Sequence, residues 1–166
     1  QMLRDEAAIS SEKMKKINLA EVVKSVVDDF NSVYDTKKSI AINFKTNGQN
    51  NYEILAIENR IEQIIANLLE NSISFSEKNQ AIDVELAKKD EDKITLIVSD
   101  EGVGFNENDT NKIFNRFYSN RPEKFGEHSG LGLNIVKNLV EIHGGEITAS
   151  NNKDKGARIE INFPKA

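Results

Sequence analysis

The stretch ENRIEQIIANLLENSIS, residues 58–74, places Ile61, Ile64, Ile65, Leu68, Leu69 and Ser72 on one row. That spacing is the 3.6-residue period of an amphipathic helix, so one face is built to be buried. The same stretch sets Asn67 and Asn71 four residues apart, one above the other on the flank of the apolar row, with Ser74 a turn further on. Two amides in that place can offer oxygens to a hard cation and NH₂ donors to phosphate oxygens. They are equally readable as solvated surface amides, since the chain holds 20 Asn.

Working outward toward the N-terminus, YEILAI (52–57) reads as a short strand, NGQNN (47–51) as a turn and SIAINFK (39–45) as an alternating strand. Asn18 offers an N-cap with Glu21 at the third helical position, and Val22, Val23, Val26, Val27 and Phe30 predict a helix over 18–35. Residues 1–16 are mostly good helix formers without a dense apolar stripe, and read as the end of a longer helix or a linker. Toward the C-terminus, AIDVELAK (81–88) and KITLIVSD (93–100) predict a hairpin across the charged turn KDED. GLGLNIVKNLVEIH (130–143) predicts a third helix stopped by Gly144-Gly145, followed by two closing strands, GEITASN and GARIEINFP. Three helices and about six strands in mixed order predict an α+β fold, a two-layer sandwich.

The composition narrows the function classes. The 166 residues suit one domain with a sizeable core. No apolar run approaches the roughly 20 residues of a membrane span. With no Cys, a disulfide scaffold and a thiolate zinc site are excluded. The net charge of −5 disfavours a general nucleic-acid binder. Of nine glycines, only Gly48 precedes Gly102, so close backbone approach or positive φ is needed chiefly in the second half.

Two of those glycines follow a strand in DEGVGF (100–105). Asp100 should stand at a sheet edge or cleft floor, where a carboxylate can accept from an exocyclic amine such as that of adenine. Gly102 and Gly104 leave room for a flat ligand; a plain strand-ending turn is the alternative. SGLGL (129–133) opens a helix, so its backbone N–H groups and the positive end of the dipole make a natural phosphate seat, with a glycine-rich loop used only for packing as the alternative. It is neither a Walker loop nor a dinucleotide fingerprint. Between the two motifs lies a loop of nearly 30 residues with one short apolar piece, IFNRFY (113–118), and loops of that length are commonly functional.

Taken in order, NLLENS (67–72), DEGVG, IFNRFY and SGLGL closely resemble the four motifs of the ATP-binding catalytic domain of bacterial sensor histidine kinases. That family shares a superfamily with gyrase, mismatch-repair and heat-shock chaperone ATPases. HGG (143–145) and the ending KGARIEINFP are also similar, and the resemblance spans about residues 18–164. It implies a Bergerat-type sandwich, a mixed sheet covered on one face by three helices, with residues 1–16 the end of a dimerisation helix or linker and 17–166 the catalytic domain.

For individual residues, the resemblance implies that Asp100 bonds the adenine amine, with Gly102, Gly104 and Phe105 beside the base. Asn71 would give an oxygen to Mg²⁺ and Asn67 would approach the same phosphates. Ser129, Gly130, Leu131, Gly132 and Leu133 would line the triphosphate, and residues 105–129 would form a lid anchored by Phe114 and Phe117. Arg116 is the lid cation for the γ-phosphate. Gyrase-like ATPases carry a Glu where this chain has Asn67, and an amide cannot act as their general base. Transfer is therefore favoured over hydrolysis.

The sequence departs from the family pattern at Ser74, Ser119 and His128. Neither His128 nor His143 has the helical context of a phosphoacceptor. The acceptor histidine is thus expected on a separate dimerisation domain, with a response regulator and ATP as further partners and no nucleic acid. The isolated domain is expected to be monomeric, and the full protein a homodimeric inner-membrane sensor with this domain in the cytoplasm. An anti-sigma-type serine kinase and a nucleotide-binding module without catalysis are the alternatives.

Overall fold

A computed structural model of the chain describes residues 13–37, 39–48, 51–105, 110–114 and 131–166. In chain order the elements are β1 (Lys15–Asn18), α1 (Leu19–Lys37), β2 (Ala41–Thr46), β3 (Glu53–Ala56), α2 (Glu58–Ser74), β4 (Ala81–Ala87) and β5 (Lys93–Asp100). A 3₁₀ turn (Thr110–Phe114), α3 (Leu131–Ile142), β6 (Glu146–Asn151) and β7 (Ala157–Pro164) follow.

Five strands form one mixed sheet in the order β2-β4-β5-β7-β6. Among the described residues only the β2–β4 pair is parallel. Along β4 and β7 the inward set (Ile82, Val84, Leu86; Ala157, Ile159, Ile161, Phe163) is buried, while Asp83 is exposed and Arg158, Glu160 and Asn162 are half-buried on the other face. Period-two alternation of this kind marks a sheet with one packed face. On the outward side Arg158 pairs with Glu160 at 3.0 Å, and the Thr95 hydroxyl donates to Asn162 Oδ1 at 2.6 Å.

The apolar stripes of the helices close the core. Val22, Val23, Val26 and Val27 of α1, Ile61, Ile64, Ile65, Leu68 and Leu69 of α2, and Leu133, Val136, Leu139 and Val140 of α3 all belong to one cluster with the sheet residues. Burying such side chains stabilises by about 1.5–3 kcal/mol each before entropy is counted. The three helices therefore lie on one face of a mixed sheet, the expected α+β sandwich.

One feature corrects the sequence expectation. Lys15 and Lys16 are not helix or linker; they begin β1, which pairs antiparallel with β3 in the register Lys16↔Leu55 and Ile17↔Ile54. KKIN is too short to display alternation, and its pairing partner lies some 40 residues on, so nothing local announces it. Within the long loop, the 3₁₀ turn buries Ile113 and Phe114 in the core cluster. The expected cap does form, since Asn18 Oδ1 accepts from the Ala20 N–H at 3.0 Å. The free edge of β2 is met by Asn31 of α1, whose amide exchanges two bonds with the Ile42 main chain at 2.9 and 3.0 Å.

Candidate functional site

The site is assembled where the end of α2, the end of β5 and the hairpin between β6 and β7 converge. Asn71 is buried, with 3% of its surface exposed, although its neighbours on α2 are Leu68, Leu69 and Ile73. A surface amide it is not: burying so polar a group costs stability unless it is partnered, so its place here calls for a reason beyond solubility. Asn67, one turn earlier on the same side, is half-buried. Ser74 directs its hydroxyl back to the Glu70 carbonyl at 2.8 Å. Its side chain is thus engaged with its own helix and does not replace a phosphate-binding cation.

Asp100 ends β5 with 2% exposure. Its Oδ1 accepts from the Gly102 N–H at 2.9 Å and from the Ala157 N–H at 3.1 Å. These charge-assisted bonds set the plane of the carboxylate from two directions, one local and one from the next strand. Its carbonyl accepts from Asn152 Nδ2 at 3.0 Å. Glu101 alongside accepts from the Ala81 N–H through Oε1 at 2.6 Å.

The glycines also serve the packing of the turn. A Cβ on Gly102 would stand 2.2 Å from the Phe75 carbonyl oxygen, and one on Gly104 would stand 2.8 Å from Asn151 Oδ1. The space is filled by protein, so these glycines let the turn press against the C-terminus of α2 and the end of β6. That contact carries Asp100 to the helix end that holds Asn71. Gly104 also adopts φ +76°.

Side chains of Phe105, Phe114 and Leu133 lie in the apolar core cluster. Their bulk packs the interior and supports the site by placing main chain, and for Phe114 this burial agrees with the anchoring role expected of it. Leu131 begins α3, and Gly132 has open space where a Cβ would project. The first N–H groups of a helix have no partner within it, so this end presents donors. One turn on, Asn134 Nδ2 donates to the Phe114 carbonyl at 3.0 Å and ties the 3₁₀ turn to α3. Arg116, Phe117, Ser119, His128, Ser129 and Gly130 lie outside the described residues.

Sequence reasoning missed Asn151, Asn152, Asn134 and the full weight of Gly156. A Cβ on Gly156 would sit 1.8 Å from the Asp100 carbonyl oxygen, and its φ is +101°. Its isolated position in a final turn was the one signal available. His143 is buried at the end of α3, with Nδ1 2.7 Å from the Leu139 carbonyl.

Residues 56–166 match the family model described as histidine kinase-, DNA gyrase B-, and HSP90-like ATPase. The chain belongs to this ATPase family. It is 35% identical over 175 residues to the sensor protein ChvG of Agrobacterium fabrum, an alignment covering 98% of this chain and 29% of ChvG. The chain therefore spans less than a third of that relative. The catalytic domain of histidine kinase ThkA, in a nucleotide-free form, superposes with a TM-score of 0.80 at 26% identity over 93% of this chain and 99% of that one. The same kinase in complex with the response regulator protein TrrA gives a TM-score of 0.78 at 25% identity, covering 99% of this chain and 46% of that one. Within the ATPase family the domain is thus of the sensor histidine kinase type.

Proposed function

We propose that this domain binds Mg-ATP and transfers the γ-phosphoryl group to a histidine on a separate dimerisation domain. The observation that carries the reading is the placement of buried Asn71 on the α2 face that ends against the Asp100–Gly104 turn. One carboxylate suited to an exocyclic amine and one amide suited to phosphate or metal are thereby set on the same side of the fold.

The expected roles divide by chemistry. Asp100, fixed by two N–H donors, accepts from the adenine amine. The N-terminus of α3, with Leu131 and Gly132, receives phosphate oxygens, joined by Gly130. Asn67 contacts the phosphates without taking a proton from water, so the γ-phosphoryl is kept for a protein acceptor. The attacking imidazole nitrogen forms the new P–N bond while the bond from the γ-phosphorus to its bridging oxygen breaks, and ADP leaves with that electron pair. Arg116 is assigned to the developing charge.

Asn71 is the residue that would offer Mg²⁺ a side-chain oxygen. Among the described residues no group of three or more His, Cys, Asp or Glu is arranged to cage a metal. A cation held by phosphates and water with one amide oxygen, that of Asn71, matches the habit of Mg²⁺ in nucleotide sites. When bound it supplies charge neutralisation on the phosphates.

The similarity to ThkA, solved in complex with the response regulator protein TrrA, supports a response regulator as downstream partner; that the full protein is a homodimeric membrane sensor with this domain on the cytoplasmic side is part of the same proposal. Among the described residues no helix is long and apolar enough to cross a membrane. The test supplies a dimerisation domain carrying its histidine in trans, with γ-labelled ATP. Acid-labile label on that domain is the expected result; label on serine, or free phosphate alone, refutes the reading.

A further inference from the structure

The turn from Asp100 to Phe105 is held at both ends by two consecutive side chains from a single place, the end of β6. At the near end Asn152 Nδ2 donates to the Asp100 carbonyl at 3.0 Å, and the Asn152 N–H donates to the Gly156 carbonyl at 2.9 Å. At the far end Asn151 accepts from the Phe105 N–H through Oδ1 at 2.7 Å and donates through Nδ2 to the Phe105 carbonyl at 3.0 Å. That two-way exchange is the one a neighbouring strand would make, so a single amide stands in for a missing ladder partner. Gly104, at φ +76°, seats its Cα on the same amide, where a Cβ would come 2.8 Å from Oδ1.

We propose that Asn151, supported by Asn152, is a positioning residue for the nucleotide base. By fixing both ends of the turn, the pair fixes the direction in which Asp100 presents its carboxylate, and with it the preference for adenine over guanine. Guanine carries an oxygen where adenine carries the amine, so a carboxylate held rigidly in place rejects it; one on a loosened turn can move aside. The inference rests on the assignment of Asp100 to the base, and a parallel variant tests that assignment.

The experiment measures Mg-ATP, Mg-GTP and Mg-tripolyphosphate binding to the chain by competition against a fluorescent ATP analogue, for wild type, Asp100→Asn, Asn151→Ala and Asn151→Asp. Asn151→Ala is expected to lower the ATP-over-GTP preference by about tenfold, the scale of two lost part-buried hydrogen bonds, with tripolyphosphate binding unchanged. If Asn151→Ala does not fold, Asn151→Asp decides, because it keeps the size and the acceptor for the Phe105 N–H while setting an oxygen against the Phe105 carbonyl. An unchanged preference in a folded Asn151 variant, or parallel weakening of all three ligands, overturns the proposal. An unchanged preference in Asp100→Asn overturns the base assignment instead.

Discussion

Ile57 gives its main-chain N–H to Nε2 of His143 at 3.2 Å, joining the entry of α2 to the end of α3 across 86 residues of sequence. Because Nδ1 lies 2.7 Å from the Leu139 carbonyl, that nitrogen carries the proton and Nε2 keeps its lone pair for Ile57. The ring therefore sets the relative position of the two helices that bear Asn67, Asn71 and Gly132. His143→Ala leaves the Ile57 N–H facing a void, while the Leu139 carbonyl keeps the main-chain N–H of residue 143, a loss of about 2–4 kcal/mol. Thermal unfolding should shift down by several degrees; a midpoint equal to wild type would remove this role from the ring.

The pattern of what was legible follows from range. The helix over 58–74 and its two amides were readable because every signal lies within a turn or two, and α2 spans Glu58–Ser74. The β4–β5 hairpin was readable from alternation and a charged turn. Invisible were contacts between segments far apart in the chain: Lys16 opposite Leu55, His143 on Ile57, Asn151 on Phe105. Among 20 asparagines, nothing in the sequence distinguishes the few that replace a strand or lock a turn from those in water. The glycine motifs announced close approach but not its partner, which proved to be protein at Gly102 and Gly104.

Asp100→Asn tests the base contact directly. The amide oxygen can still accept from Gly102 and Ala157, so the turn should persist, but a charged acceptor is lost and an NH₂ group is introduced beside the adenine amine. ATP affinity should fall by about tenfold or more, with the unfolding midpoint little changed. Titration calorimetry gives the first quantity and a thermal melt the second. Equal affinity would assign the base elsewhere.

Gly156 and Gly132 are both glycines of the closing half, yet they make opposite predictions. Gly156→Ala drives a Cβ into the Asp100 carbonyl at a φ that side chains avoid, so the β6–β7 hairpin must shift away from Asp100. A cost above about 3 kcal/mol is expected, with loss of ATP binding. Gly132→Ala meets open space at the start of α3, and Ala favours a helix by about 1 kcal/mol over Gly. The unliganded protein should melt at the same temperature or higher while ATP binds more weakly, because a methyl group now stands where the phosphates approach. Unimpaired ATP binding in Gly132→Ala would displace the triphosphate from this helix end.

Asn71→Asp separates metal and phosphate contact from mere packing. The two side chains are nearly equal in size, so the buried position is filled in both. What changes is charge: the amide donors vanish and a carboxylate faces the triphosphate, unfavourable for an anion and costly to bury. A lost electrostatic contact of this type slows transfer by about 100-fold or more. Phosphotransfer to a dimerisation domain supplied in trans, followed by acid-labile label, should fall by that factor, while circular dichroism shows the fold retained. A variant that transfers at the wild-type rate would show that the Asn71 NH₂ group makes no phosphate contact that transfer needs.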